Sequence, residues 1–183
     1  MANGSRAARL VGPINERDHL LGRPDAPATL VEYGDYECPH CGAAHPVVET
    51  VRRHLGPRLL FAYRHFPLTQ THPHALRAAE AAEAAGAQGQ FWAMHGLLFE
   101  HQDALDDRDL LRYATTVGLD LSRFVSELAE NAWDPRVRED ITSGVRSRVN
   151  GTPTFFINGV RHDGPWDAET LIAAVTRAAR IPA

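Results

Sequence analysis

The chain has 183 residues, 44% apolar and 23% charged, with a formal net charge of −4. That length accommodates one core with a sizeable insertion, and the composition is that of an ordinary globular domain. The acidic balance speaks against a general nucleic-acid binder. No stretch approaches the ~20 apolar residues needed to cross a bilayer, so a membrane span is not expected either. All 19 basic charges are arginine, a compositional bias with little functional weight.

The opening stretch "MANGSRAARLVGPINERDHL" has no apolar run of signal-peptide length, which makes the cytoplasm the expected location. Thiols are kept reduced there, and a close cysteine pair is more often catalytic or metal-binding than structural. Residues 1 to about 27 read as an irregular lead-in broken by Pro13, Gly22, Pro24 and Pro27. "ATLVEYG" (28–34) is rich in β-formers and predicts a strand. A helix is expected over 39–55, opened by Pro39, where a first turn tolerates a missing N–H, and kinked or interrupted at Pro46. A second strand follows at 58–66.

The next stretch carries helical signals only. Helices are expected over 73–88, 90–102, 107–119, 120–130 and 134–148, and together they look like an insertion. "TPTFFINGVRHDG" (152–164) holds two short runs around Asn158-Gly159, a strong hairpin signal, and 167–180 closes as a helix. Strands alternating with helices predict a small α/β layer. The expected division is a lead-in (1–17), an N-terminal half (18–69), a helical insertion (70–148) and a C-terminal half (149–183).

Both cysteines of the chain, Cys38 and Cys41, lie in "ECPHCGAAH". Residues three apart in a first helical turn face each other, close enough for the ~4.4–6.8 Å Cα separation of a disulfide. Cys38 falls at the helix cap, where unpaired N–H groups favour negative charge, so its thiol should ionise in the ~3.5–7.5 range of such sites. Cys41, one turn deeper, should be less exposed. That asymmetry assigns attack to Cys38 and resolution of the mixed disulfide to Cys41. His40, between them, is either a cation that tunes the thiolate or a solvated loop histidine. Zinc on Cys38, His40, Cys41 and His45 is disfavoured, because His40 between the cysteines strains a tetrahedral site and no second pair completes it. No metal is therefore expected. Trp92 and Phe91 read as core anchors of the inserted block, and His72 and His74, flanking Pro73, as surface caps.

"LVEYGDYECPHCG" resembles the active-site segment of the thioredoxin superfamily, and "CPHC" resembles that of DsbA-type thiol–disulfide oxidoreductases. "YRHFPL" (63–68), "HPHALRAAEAA" (72–82), "GQFWAMHGLLFEHQ" (89–102), "GLDLSRF" (118–124) and "GTPTFFING" (151–159) extend the likeness to roughly residues 18–180. The resemblance implies a thioredoxin fold, α/β, with a helical insertion, and a dithiol–disulfide oxidoreductase that needs no cofactor. Its partners would be protein or peptide thiols and disulfides, together with a redox partner. It further implies a cis-proline at Pro153, with Thr152 docking substrate beside the thiols. It places a buried acid at Glu32 that relays the proton Cys41 must lose, and a peptide groove partly formed by the insertion. Glu37 departs from the pattern, and its charge is expected to oppose the Cys38 thiolate and raise its pKa. Two other readings stay open: a redox-sensing interaction module of the same fold with little turnover, and a glutathione-dependent isomerase or transferase, against which the intact cysteine pair argues.

Overall fold

The computed structural model describes residues 7–179. Five strands, β1 (His19–Leu21), β2 (Ala28–Gly34), β3 (Leu59–His65), β4 (Thr154–Ile157) and β5 (Val160–His162), form one sheet in the order β1-β3-β2-β4-β5. β2 and β3 run parallel and are joined by helix α1 (Pro39–Leu55), while β1, β4 and β5 each pair antiparallel to their neighbours. A parallel pair needs such a crossover, since a tight turn cannot reverse the chain twice. Five helices lie between β3 and β4: α2 (Ala75–Gly86), α3 (Phe91–Glu100), α4 (Asp107–Thr116), α5 (Leu121–Ala129) and α6 (Asp134–Arg146). Helix α7 (Ala168–Ala178) ends the described chain.

The pleat decides what each strand residue faces. On β2, Ala28 and Leu30 join the larger core, built with α1, α7 and the inserted helices, while Val31 and Tyr33 join a smaller core on the opposite side. Glu32 is in phase with Leu30 and so shares the face that carries α1. It is 2% exposed, in register between Tyr63 of β3 and Phe155 of β4. Phe155 and Ile157 line the same core, and Phe156 lines the other.

Two expectations are corrected. α1 runs unbroken through Pro46. The proline is exposed, so its ring does not have to be fitted into the core. β1 lies inside the stretch expected to be irregular. Three residues are too few to show a period, and the strand exists through its pairing with β3. The expected lead-in lies partly outside the described residues. Its described part runs beside β5, with the Leu10 N–H donating to Gly159 O at 2.9 Å and the Arg161 N–H to Ala8 O at 2.8 Å. At the hairpin, Asn158 and Gly159 take φ of 46° and 74°, the paired left-handed geometry of a two-residue turn matched to strand twist.

Asp18 fastens the end of the lead-in to the sheet. Its carboxylate takes both arms of the Arg64 guanidinium, at 2.7 and 2.9 Å, with the two side chains 3% and 4% exposed. Removing one partner of a buried pair strands the other charge. Asp18→Ala should therefore lower stability by about 3 kcal/mol in urea unfolding. A loss below about 1 kcal/mol would show that Arg64 finds compensation elsewhere.

Candidate active site

Cys38 is the N-cap of α1, with extended backbone (φ −76°, ψ 120°) and Pro39 as the first helical residue. Its N–H donates to Asp35 O at 3.2 Å and its carbonyl accepts the Gly42 N–H at 3.0 Å, which closes the turn around the sulfur. No acid occupies the first turn of α1, whereas Arg52, Arg53 and His54 occupy the last. The positive end of the helix dipole is thus left to the thiol.

The Cys38 thiol is brought down to about 5. The largest cause is a hydrogen bond from the Cys41 thiol; burial opposes it, and the Thr152 hydroxyl and the Cys41 and His40 N–H groups add to it. Cys41 moves the other way: burial, its bond to Cys38 and the charge of Glu32 push it far above an ordinary thiol. Cys38 is 3% exposed and Cys41 fully buried. Cys38 is thus the more open of the two, but more enclosed than an attacking thiolate is expected to be. Its immediate surroundings are open, with Pro39 and His40 exposed and Thr152 and Pro153 half-buried.

The Thr152–Pro153 peptide bond is cis. The Cys38 thiol contacts the Thr152 carbonyl at 3.4 Å. The Thr152 hydroxyl is buried without a partner oxygen or nitrogen among the described residues, so its hydrogen is free to turn toward the sulfurs whose ionisation it favours. The strand start at 152–154 and the helix start at 38–41, 114 positions apart between Cys38 and Thr152, therefore meet at the sulfur.

Glu32 lies on the face of the sheet beneath α1, and burial raises its carboxyl from 4.5 to about 8. Its Oε1 and the Tyr63 hydroxyl, paired with it in register, are both buried without partners among the described residues. An acid of this kind exchanges a proton near neutral pH, and its charge acts on the Cys41 thiol.

Three placements differ from expectation or were not foreseen. Glu37 does not turn toward Cys38: its carboxylate accepts the His74 N–H at 2.6 Å and meets the His74 ring at 2.9 Å. The Glu37 carboxylate is thus held by His74 rather than left free beside Cys38, and the Cys38 thiol lies below its ordinary value. Asp35 is a buried acceptor below the active-site turn. Its place after a strand, with an Asx-type bond from the Glu37 N–H at 2.8 Å, is a turn signal that "GDYEC" carries in plain view. Gln102, just beyond α3, donates to Tyr36 O at 2.8 Å and Cys38 O at 2.9 Å. A side chain at Gly42 would meet Gln102 Oε1 at 2.0 Å and displace the amide that makes these two bonds. Nothing local in the sequence announces that contact.

The four residues weighed for zinc do not converge: His40 is exposed and His45 stacks on Phe99 at 5.0 Å. Among the described residues, His19, His65 and Glu83 bring ligand-type atoms within 4.8 Å of one another. Glu83 Oε1 already meets both rings, at 2.9 and 3.0 Å, and Arg136 stands 3.8 Å away. Those bonds outweigh burial and hold Glu83 as an anion inside a charge network. No helix among the described residues is long and apolar enough to cross a membrane.

A thiol pair at the head of the helix that follows a central strand, faced by a proline-led strand, with helices inserted between, defines the DsbA-like class of thioredoxin folds. The chain belongs to the thioredoxin family, whose model matches residues 14–177. BdbD from Bacillus subtilis superposes with a TM-score of 0.82 at 21% identity, covering 97% of this chain and 100% of that one. A thioredoxin-like oxidoreductase from Silicibacter pomeroyi gives 0.77 at 29%, covering 92% and 95%. α-DsbA1 from Wolbachia pipientis gives 0.77 at 22%, covering 92% and 93%. In sequence, the chain is 50% identical over 169 residues to Na(+)/H(+) antiporter NhaA 1 of Mycobacterium sp. (strain KMS), covering 91% of this chain but 28% of the antiporter. Na(+)/H(+) antiporter NhaA 3 of Salinispora tropica is also 50% identical, over 171 residues, covering 92% and 26%. The chain spans roughly a quarter of the length of these curated relatives.

The raised Glu32 carboxyl has a measurable signature. The folded protein holds this proton up to about 8 and the unfolded chain only to 4.5, so the unfolded state releases it first. Stability contributed by this group therefore declines as pH rises from 4.5 to about 8 and is level above. Urea unfolding of Glu32→Gln should lack that decline, so the variant gains on the wild type across the window. Parallel stability curves would remove Glu32 from the buried-acid role.

Proposed function

We propose that the chain is a protein dithiol–disulfide oxidoreductase that exchanges a Cys38–Cys41 disulfide with protein or peptide substrates. The observation that carries this reading is the placement of Cys38 at the α1 cap, one turn before Cys41 and touching the Thr152 carbonyl at 3.4 Å. In the oxidising direction a substrate thiolate attacks the Cys38 sulfur, the Cys38–Cys41 bond breaks, and Cys41 leaves as a thiolate. A second substrate thiolate then attacks the substrate sulfur of the mixed disulfide and releases Cys38 as a thiolate. Two electrons have passed from substrate to protein. In the reducing direction Cys38 attacks the substrate disulfide and Cys41 displaces the reduced substrate.

Glu32 takes or returns the Cys41 proton. Pro39 starts the helix so that its free N–H groups face the sulfur, and His40 adds its own N–H and an exposed ring. Thr152 and Pro153 dock the substrate backbone beside Cys38, in a groove to which the inserted helices contribute. No cofactor is required, because the disulfide carries the electrons. The division of the chain at 18–69, 70–148 and 149–183 belongs to the same proposal, as does a cytoplasmic setting. A stabilised thiolate favours the dithiol and makes the disulfide a good oxidant, whereas a reducing thiol pool would keep the couple reduced; the redox partner therefore sets the net direction.

Insulin reduction with dithiothreitol tests the reading. The wild type should accelerate precipitation and Cys38→Ser should abolish the effect. Cys41→Ser should accumulate a mixed disulfide with insulin that mass spectrometry detects on Cys38. A wild type no faster than dithiothreitol alone would point instead to a sensing module.

A further inference from the structure

Two short segments, far apart in sequence, pair residue for residue behind the nucleophile. One is Asp35-Tyr36-Glu37, which leads directly into Cys38. The other is His72-Pro73-His74, which leads into α2. His72 Nδ1 meets Asp35 Oδ2 at 2.7 Å, and the His74 ring meets Glu37 Oε1 at 2.9 Å. The two pairs differ in depth. Asp35 is fully buried with His72 18% exposed, whereas Glu37 is 18% and His74 50% exposed.

Asp35 is the hub. One carboxylate oxygen accepts the Glu37 N–H at 2.8 Å, the other accepts the Leu68 N–H at 2.8 Å and the His72 ring, and the main-chain carbonyl accepts the Cys38 N–H at 3.2 Å. This buried carboxylate lies three residues before the nucleophile and is paired with the His72 ring. Left alone, its charge would oppose a thiolate at Cys38. The ring bonded to it is the group that can cancel it.

We propose that His72 is a positioning residue of the thiol exchange: held on Asp35, its imidazolium supplies the fixed positive charge behind Cys38 that keeps the neighbouring carboxylates from suppressing the thiolate. The inference rests on the proposed function and gives to His72 the cationic role that sequence spacing suggests for His40. His40 is exposed and its side chain makes no hydrogen bond among the described residues, so water screens its charge. The charged groups that act on His72 are Asp35, Glu37 and Cys38. Burial lowers its pKa, but its bond to Asp35 and the charges of Asp35, Cys38 and Glu37 outweigh that and raise it above 6.5. Cys38 ionises near 5, so thiolate and imidazolium coexist between about 5 and the raised histidine value. The exposed His74–Glu37 pair contributes less.

The test compares ionisations, which require no turnover. In reduced protein, thiolate absorbance at 240 nm gives the Cys38 midpoint. His72→Asn keeps a donor toward Asp35 but cannot be charged, and it should raise that midpoint by about one pH unit; His74→Asn should move it far less. Coupling is reciprocal, so the His72 ring, followed by NMR in the reduced protein, should titrate lower in Cys38→Ser than in the wild type, by the same amount. A His72→Asn midpoint equal to wild type overturns the inference. If His72→Asn does not fold, the NMR comparison decides alone, and an unmoved His72 titration overturns it. Both shifts present in a protein that does not reduce insulin would keep this inference and sink the proposed activity.

Discussion

The seat of the Cys38 sulfur at the free end of α1, where the Cys41 thiol is the strongest influence favouring its anion, is the constraint on which the rest of the site depends. The Cys38 thiol is brought from 9.0 to about 5. No single contact supplies that. The Cys41 thiol contributes most, the Thr152 hydroxyl and the first N–H groups of the helix add to it, and burial subtracts. Each contributor is placed by a different element, so the ionisation of one sulfur reads out the assembly of helix, loop and strand.

The surroundings bear the cost of keeping charge there. Glu32 sits in the sheet with an unpartnered oxygen, and an apolar residue at that position would pack without the penalty. Behind the cap, Asp35 and Glu37 each meet a histidine from the segment before α2. Gln102 adds a tie from the far end of α3 to the Cys38 carbonyl. The inserted helices thus do more than cover the sheet, since residues at their edges hold the backbone on which the nucleophile rides.

Sequence reading reached the parts that local pattern determines. The strand at 28–34 and the helix at 39–55 have the bounds expected of them, because β-formers, Pro39 and Gly56-Pro57 mark their ends. Asn158-Gly159 announces its own turn. Glu32 was legible as a strand residue, and its burial follows from sharing a face with Leu30. What local pattern could not reveal are contacts across long separations. Glu37 looked like a free charge beside the thiolate, and its pairing with His74 could not be seen locally. Asp35, His72 and Gln102 are ordinary polar residues in sequence, and their role comes from backbone groups brought near by the fold. Pro46 misled because a proline signals a break, whereas the helix here continues through it with the proline on its exposed side.

The most direct measurement is the pH dependence of alkylation at each cysteine, resolved by mass spectrometry of the reduced protein after brief exposure to iodoacetamide. The account predicts that Cys38 is modified with a midpoint near 5 and that Cys41 stays unmodified through neutral pH. Equal labelling of both sulfurs with one midpoint near the ordinary thiol value of 9.0 would contradict it.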